Sequence, residues 1–178
     1  LHDDIGAKLL SLAIRAKTPQ DADIVRSALQ DLRDVVSRSA QADAPLSDLL
    51  ADWRVEIIGR CDAARVRLVW NQPEDLPERN MVAAEALNLG RILREALSNV
   101  LRHSEASSVV VGVHFVAGRY QISIEDDGHG KPGPAGRGMR NMQARAAQLG
   151  GQIDWVWGER GCRVLLLLPS IAPSATAG

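Results

Sequence analysis

Two polar blocks, which flank a pair of strand-like segments, constrain this chain more than any other feature of its sequence. The first, residues 94–103, reads REALSNVLRH, and the second, residues 126–138, is rich in glycine. Glu95 and Asn99 are four residues apart in a helical pattern, so they share one face beside an apolar face. The glycine-rich block precedes a helical pattern, and backbone N–H groups at such a helix start favour phosphate. Together the two blocks indicate a site for a nucleotide and a metal ion.

The composition limits the other possibilities. Apolar residues make up 46% and charged residues 24% of the 178 residues, which is enough for a hydrophobic core with a polar surface. The net charge of −1 provides no basic field, so direct nucleic-acid binding or membrane contact is not expected. No apolar run approaches the roughly 18 residues that a membrane span needs. Cys61 and Cys162 lack a metal-binding spacing and are predicted to be reduced thiols.

Residues 1–40 predict a helical hairpin. The first helix carries an apolar stripe formed by Leu1, Ile5, Leu9, Leu12 and Ala16. Thr18 and Pro19 mark the start of a second helix, whose own stripe is Val25, Leu29, Leu32 and Val36. Because a lone hairpin cannot cover both stripes, the pattern predicts a four-helix bundle in a dimer. The chain begins inside the first helical pattern, so we interpret it as a fragment whose N-terminal part is truncated.

Residues 46–170, which follow a small polar linker, alternate between helical and strand-like patterns. Helices are predicted at 46–64, 81–103 and 138–149, and strands at 65–70, 108–116, 119–125, 152–157 and 162–168. Turn residues predict one hairpin at Ala117 and Gly118 and another between Gly158 and Gly161. Strands paired through hairpins, with helices between them, predict a mixed sheet covered on one face. The fold class expected for the whole chain is therefore α+β, a helical hairpin followed by an α/β sandwich.

These segments resemble the kinase core of bacterial two-component sensor histidine kinases. The resemblance is to the subfamily of nitrate-sensor and desaturase-sensor type, which signals to response regulators with LuxR-type DNA-binding domains. Five boxes match in the family's order: a phospho-acceptor box at 1–6, an asparagine box at 95–103, glycine boxes at 126–130 and 136–139, and a final hairpin at 149–169. The resemblance implies a dimerising hairpin followed by a Bergerat-type ATP-binding domain of the GHKL superfamily.

The activity implied by this resemblance is Mg-ATP-dependent autophosphorylation, followed by phosphotransfer to a response regulator. His2 would be the phospho-acceptor, and Asp3 would orient its imidazole ring. Asn99 offers a neutral oxygen that suits Mg²⁺. Glu95 would join it at the metal or position a water molecule, although a solvated helix carboxylate is an open alternative. Asp126 would accept a hydrogen bond from the adenine amine of ATP.

The remaining residues expected at the nucleotide belong to the same boxes. They are Arg102, His103, Gly128, Gly130, Gly136, Gly138, Met139 and Cys162. The glycines would allow a lid to fold over the triphosphate. Arg102 and His103 could approach phosphate, or could simply be favourable charges at a helix C-terminus.

Three residues depart from the family pattern. Asp127 stands where Asn is common, and it is expected to add negative charge near the nucleotide. Cys162 stands where Thr is common, so a hydroxyl contact would be missing. Ala7 stands where Gln is common, and it predicts weak phosphatase activity because its side chain cannot orient a hydrolytic water.

Two alternatives to a histidine kinase stay open. One is another ATPase or serine kinase of the same fold, of the anti-sigma-factor type, and the other is a degenerate module that only binds nucleotide or a partner. For the kinase, the expected partners are a second copy, through the hairpin, and a response regulator with a receiver domain. The fragment is expected to be cytoplasmic, and its parent to be an inner-membrane sensor in a bacterium.

Overall fold

The computed structural model describes residues 43–129 and 136–170. Its helices are α1 (Leu46–Ala64), α2 (Ala83–His103) and α3 (Arg137–Gln148). Its strands are β1 (Ala44–Pro45), β2 (Arg67–Asn71), β3 (Asn80–Met81), β4 (Ser108–Val116), β5 (Arg119–Asp126), β6 (Gln152–Trp157) and β7 (Cys162–Pro169). The helical hairpin at 1–40 lies outside the described residues, so the hairpin and its boundary with the second region stay predictions.

A five-stranded mixed sheet forms the centre, with the strand order β2-β4-β5-β7-β6. β2 pairs with β4 in parallel, and the other neighbours in this sheet are antiparallel. Ala117 and Gly118 join β4 to β5 with φ angles of 51° and 74°. Two consecutive positive φ values are typical of the two-residue turn whose twist matches a hairpin. The hairpin predicted at these two residues is therefore confirmed.

The hydrophobic core lies between one face of this sheet and the three helices of the described region. Every second residue of β4 and β5 is buried there, because side chains alternate between the two faces of a strand: Val109, Val111, Val113, Tyr120, Ile122 and Ile124. α2 contributes residues at helical spacing, which include Leu89, Leu93, Ala96, Leu97 and Val100. The observed architecture confirms the predicted α/β sandwich.

The largest differences from the predicted element boundaries, two residues each, lie at the starts of α2 and β2. The helix predicted from residue 81 begins at Ala83, because Asn80 and Met81 pair with the two-residue strand β1. The strand predicted from residue 65 begins at residue 67. Arg65, with a φ of 59°, closes α1 in the left-handed conformation, and its N–H donates to the Asp62 carbonyl.

Candidate functional site

Asp126, the last residue of β5, carries a carboxylate with unused hydrogen-bonding capacity. The residue is 6% exposed. Its Oδ1 accepts the backbone N–H of Gly128 at 2.9 Å. Within the described part of the chain nothing donates to Oδ2, and this oxygen is not sealed from solvent. Since a carboxylate in such a position is stabilised by hydrogen bonds, Oδ2 is suited to accept one from a ligand.

Cys162, the first residue of β7, lies opposite Asp126. The register pairs Glu125 with Arg163 in antiparallel strands, which brings the next residues, Asp126 and Cys162, side by side. Burial, together with the negative charge of Asp126, raises the pKa of the Cys162 thiol to about 11. The thiol is therefore neutral near pH 7 and adds no second charge beside the carboxylate.

Two glycines allow the chain to pass close to Asp126. Gly161 has a φ of 73°, and a Cβ atom there would overlap the Asp126 carbonyl oxygen. A Cβ atom at Gly128 would overlap the Ser104 carbonyl oxygen. The Gly161 N–H donates to the Gly128 carbonyl, and the His129 N–H donates to the Ser104 carbonyl, both at 2.7 Å. The first residues of the glycine-rich loop are thus held between the end of α2 and the β6–β7 turn.

Asp127 turns its side chain toward the start of β4. Its Oδ1 accepts the N–H groups of Ser107 and Ser108, each at 2.8 Å, and its Oδ2 accepts the Ser107 hydroxyl at 2.6 Å. These hydrogen bonds, chiefly the one from the Ser107 side chain, lower the pKa of Asp127. Both carboxylate oxygens therefore bind protein groups, so the negative charge expected of Asp127 is held at the start of β4.

Glu95 and Asn99 are half-buried and lie one helical turn apart on α2. The Glu95 carboxylate lies against Gly138 in the first turn of α3, since a Cβ atom at that glycine would overlap Glu95 Oε1. A negative charge is favourable there, because N–H groups at a helix start are unpaired. Neither Glu95 nor Asn99 hydrogen-bonds to another residue in the described ranges. Both side chains are thus available to a ligand near the N-terminus of α3.

The oxygen atoms of this face fit a magnesium ion that is shared with phosphate. Across residues 43–129 and 136–170, no group of three His, Cys, Asp or Glu side chains could hold a metal by itself. Mg²⁺ in nucleotide sites usually takes only one or two protein oxygens and completes its shell with phosphate and water. Asn99 and Glu95 supply oxygens of that kind.

The positions of the other predicted residues do not decide their roles. Arg102 and His103 are exposed in the last turn of α2, which agrees with either interpretation of their charges. Met139 is half-buried and packs against the core. Gly136 precedes α3, and a Cβ atom there would meet open space. The remaining predicted residues, His2, Asp3 and Gly130, lie outside the described residues.

Three residues of this region were missed by the sequence predictions of site residues. Gly161 had a usable signal, because it ends the turn of the predicted final hairpin. Ser104 and Ser107 had none, since they contact the glycine-rich loop only through the folded chain.

Comparisons with known proteins agree with this geometry. Residues 84–171 match the family of histidine kinase-, DNA gyrase B- and HSP90-like ATPases. In an alignment of 168 positions the chain is 30% identical to the nitrate/nitrite sensor protein NarX of Escherichia coli, and the match covers 85% of this chain and 28% of that protein. In an alignment of 186 positions it is 26% identical to the signal transduction histidine-protein kinase/phosphatase UhpB of Salmonella typhimurium, and the match covers 95% of this chain and 37% of that protein.

A solved structure shares the fold. The histidine kinase domain of a blue-light activated histidine kinase from Erythrobacter litoralis superposes with a TM-score of 0.62 at 17% identity. The match covers 94% of this chain and 96% of that one. In the described ranges no helix combines the length and apolarity needed to cross a membrane. The chain belongs to the histidine kinase-, DNA gyrase B- and HSP90-like ATPases, as a histidine kinase catalytic core related to the nitrate/nitrite sensor proteins.

Proposed function

We propose that this chain is the catalytic core of a sensor histidine kinase, which binds Mg-ATP, phosphorylates His2 and passes the phosphoryl group to an aspartate of a response regulator. The single observation that carries the nucleotide site is the carboxylate of Asp126, which is buried yet has no donor to Oδ2 among the described residues. Its position at the end of a strand, beside a glycine-rich loop, matches the resemblance that implied adenine binding.

At the adenine end, Asp126 favours adenine over other bases because its carboxylate accepts hydrogen bonds and cannot donate them. Oδ1 is held by the Gly128 N–H, so Oδ2 has a fixed direction in which to accept the exocyclic amine of adenine. Guanine and hypoxanthine present a carbonyl oxygen at the same ring position. Two acceptors would then face each other, and one would remain unpaired.

At the phosphate end, the start of α3 acts together with the Asn99 and Glu95 side chains of α2. The N–H groups of the first turn of α3 favour negative charge, and Gly138 allows close approach. Asn99 and Glu95 would hold Mg²⁺, which supplies charge neutralisation on the phosphates when bound. Because Glu95 lies where phosphate charge would arrive, its carboxylate has to turn from α3 toward the metal.

The acceptor half of the proposal rests on residues outside the described ranges. An imidazole nitrogen of His2 would attack the γ-phosphorus, so that an N–P bond forms as the P–O bond to ADP breaks. Asp3 would hold the other ring N–H. A homodimer through the hairpin at 1–40 would present His2, and a regulator with LuxR-type output would receive the phosphoryl group.

The relatives support the kinase over the two alternatives. UhpB is described as a histidine-protein kinase/phosphatase and NarX as a sensor protein. The chain spans less than half the length of these two relatives, so their whole-protein activities extend to it only as part of this proposal. The location of the whole protein in the inner membrane stays a prediction for the same reason. An anti-sigma-type serine kinase would have no use for the acceptor box.

The test is incubation of the whole chain, and of a longer piece of its parent, with γ-labelled ATP and Mg²⁺. We expect acid-labile, base-stable phosphate on the wild type and none on His2→Gln, while both proteins bind ADP equally. Acid-stable phosphate would indicate a serine kinase instead. Nucleotide binding without any phosphate on either length of chain would indicate the degenerate module.

A further inference from the structure

The side chain of Asp127 joins the glycine-rich loop to the segment that leads into β4. It accepts three hydrogen bonds from Ser107 and Ser108 at 2.6–2.8 Å, and its own N–H donates to the Ser108 carbonyl at 3.3 Å. We call this set of contacts, formed by Asp127, Ser107 and Ser108, the Asp127 clasp. Hydrogen bonds to an ionised carboxylate are about twice as strong as neutral ones, so the clasp is a firm local constraint.

The clasp is unusual because Asp127 is exposed. An exposed carboxylate is normally free to rotate in water, and a single surface contact contributes little. Here both oxygens are engaged, and two of the three donors are backbone N–H groups with fixed positions. The carboxylate therefore fixes the backbone at residue 127 and is itself held in one orientation.

The position of the clasp matters because it lies next to the candidate adenine contact. β5 ends at Asp126, so strand pairing no longer positions the residues that follow. Successive side chains at a strand end point to opposite faces, so Asp127 can anchor on one side while Asp126 faces the helices on the other. A second contact, the hydrogen bond from the Gly161 N–H to the Gly128 carbonyl at 2.7 Å, holds the loop from the opposite side.

We propose that Asp127 is a positioning residue for adenine recognition, which acts through the Asp127 clasp to aim Oδ2 of Asp126. This inference rests on the proposed nucleotide site. The Gly128 N–H fixes one oxygen of Asp126. Asp126 and Gly128 are the two chain neighbours of Asp127, so the clasp holds the backbone that carries both the carboxylate and its donor. Loosening residue 127 therefore changes the direction of the acceptor without removing it.

The experiment measures the affinities of the whole chain for ADP and for inosine diphosphate, whose oxygen replaces the adenine amine. Asp127→Ala should weaken ADP binding about tenfold, the effect of one net hydrogen bond, while inosine diphosphate changes less than about twofold. Asp127→Asn should stay close to wild type, because its amide oxygen can accept both N–H groups while its NH₂ group donates to the Ser107 hydroxyl. Glu125→Ala, which removes a carboxylate of β5 that pairs with Arg163 of β7, is the matched control and should bind like wild type.

A thermodynamic cycle separates positioning from simple stabilisation. In an Asp126→Asn background, Asp127→Ala should cause no further loss of the ADP preference, because the two residues act through one contact. Thermal unfolding is measured for every variant. If Asp127→Ala lowers stability but keeps the wild-type ratio of the two affinities, the clasp is only a structural tie and the inference is wrong. A wild type that binds neither nucleotide overturns the proposed function and this inference together.

Discussion

The two ends of β5 and β7 carry buried charge in opposite ways. At one end, which we call the closed end, the Arg79 guanidinium donates to Glu85 and to the Pro169 carbonyl, each at 2.6 Å. At the other, the open end, the Asp126 carboxylate has only the Gly128 N–H as a donor from the described residues. The strands are the same, so the difference lies in what the flanking loops provide.

The closed end has the features of a structural contact. The side chains of Arg79 and Glu85 are 4% and 10% exposed, and Glu85 also accepts the Val82 N–H at the start of α2. Nearby, the Tyr120 hydroxyl donates to the Pro77 carbonyl at 2.7 Å. Arg79 Nε is the exception, since it is buried without a hydrogen-bond partner. Nearly every polar group at this end is satisfied by the protein, so a ligand has little to bind.

The comparison shows why burial alone does not identify a functional residue. Arg79, Glu85 and Asp126 are all buried. What separates them is spare hydrogen-bonding capacity that reaches solvent, which Asp126 shares with the less buried Glu95 and Asn99. We therefore expect substitutions at the closed end to change stability and those at the open end to change binding.

The largest effect is expected at the closed end. Arg79→Met should destabilise the fold by about 3–5 kcal/mol, because it leaves the Glu85 carboxylate buried without its counter-charge. Urea unfolding followed by tryptophan fluorescence measures this loss. The double variant Arg79→Met/Glu85→Leu should recover most of it, and no recovery would mean that the ion pair is not the cause. Affinity of the folded protein for ADP should stay at the wild-type level in both variants.

At the open end, Asn99→Ala should reduce Mg-ATP-dependent phosphorylation by about a hundredfold or more, since metal-mediated charge stabilisation contributes several kcal/mol. Its free energy of unfolding should remain within about 0.5 kcal/mol of wild type, because the side chain makes no hydrogen bond to the described residues. Phosphorylation and urea unfolding are measured on the same preparation. Full activity in a well-folded variant would remove Asn99 from the metal site.

A pair of glycines tests the close approach at Asp126. Gly161 and Gly118 have φ angles of 73° and 74°, but only at Gly161 would a Cβ atom meet other atoms within 4 Å. Gly118→Ala should cost about 1 kcal/mol from the backbone conformation alone, and Gly161→Ala about 1–3 kcal/mol. Only Gly161→Ala should also weaken ADP binding, because it displaces Asp126. Equal effects of the two substitutions on stability and binding would contradict a specific role for Gly161.

The smallest effect is a dependence of stability on alkaline pH. The folded state raises the pKa of Cys162 from 9.0 to about 11, so the folded protein holds this proton more tightly than the unfolded chain. The contribution is fully present below pH 9 and is lost as the pH rises toward 11. Cys61, whose pKa burial also raises, and Tyr120 act in the same direction. Urea unfolding of wild type and Cys162→Ala across this range should show a shallower decline for the variant, and parallel curves would contradict the shift.

Elements whose patterns are local were predicted well. The turn at Ala117 and Gly118 is marked by the glycine, which accepts a positive φ without strain, and β5 after it alternates between apolar and polar residues. The shared face of Glu95 and Asn99 follows from helical periodicity. These predictions depend on neighbours within a few residues, which the sequence displays directly.

Contacts between distant residues could not be predicted in the same way. Ser107 reaches Asp127 across 20 residues, and Arg79 reaches Pro169 across 90. The period of β5 places Asp126 on the buried face, but it does not show that both oxygens of Asp127 are engaged while Oδ2 of Asp126 has no donor among the described residues. The added negative charge expected of Asp127 was a reasonable interpretation of the sequence, but the start of β4 supplies the donors that hold this carboxylate.

The sequence by itself determined the order of helices and strands, the faces that pack into the core and the boxes that indicate a histidine kinase core. Periodicity, turn residues and motif spacing are sufficient for this, since each arises from backbone geometry over short distances. Only the tertiary structure decided which polar groups are already satisfied and which remain available. That difference depends on where separate segments meet. It places Asp126, whose Oδ2 has no donor among the described residues, at one end of the sheet and the paired Arg79 and Glu85 at the other.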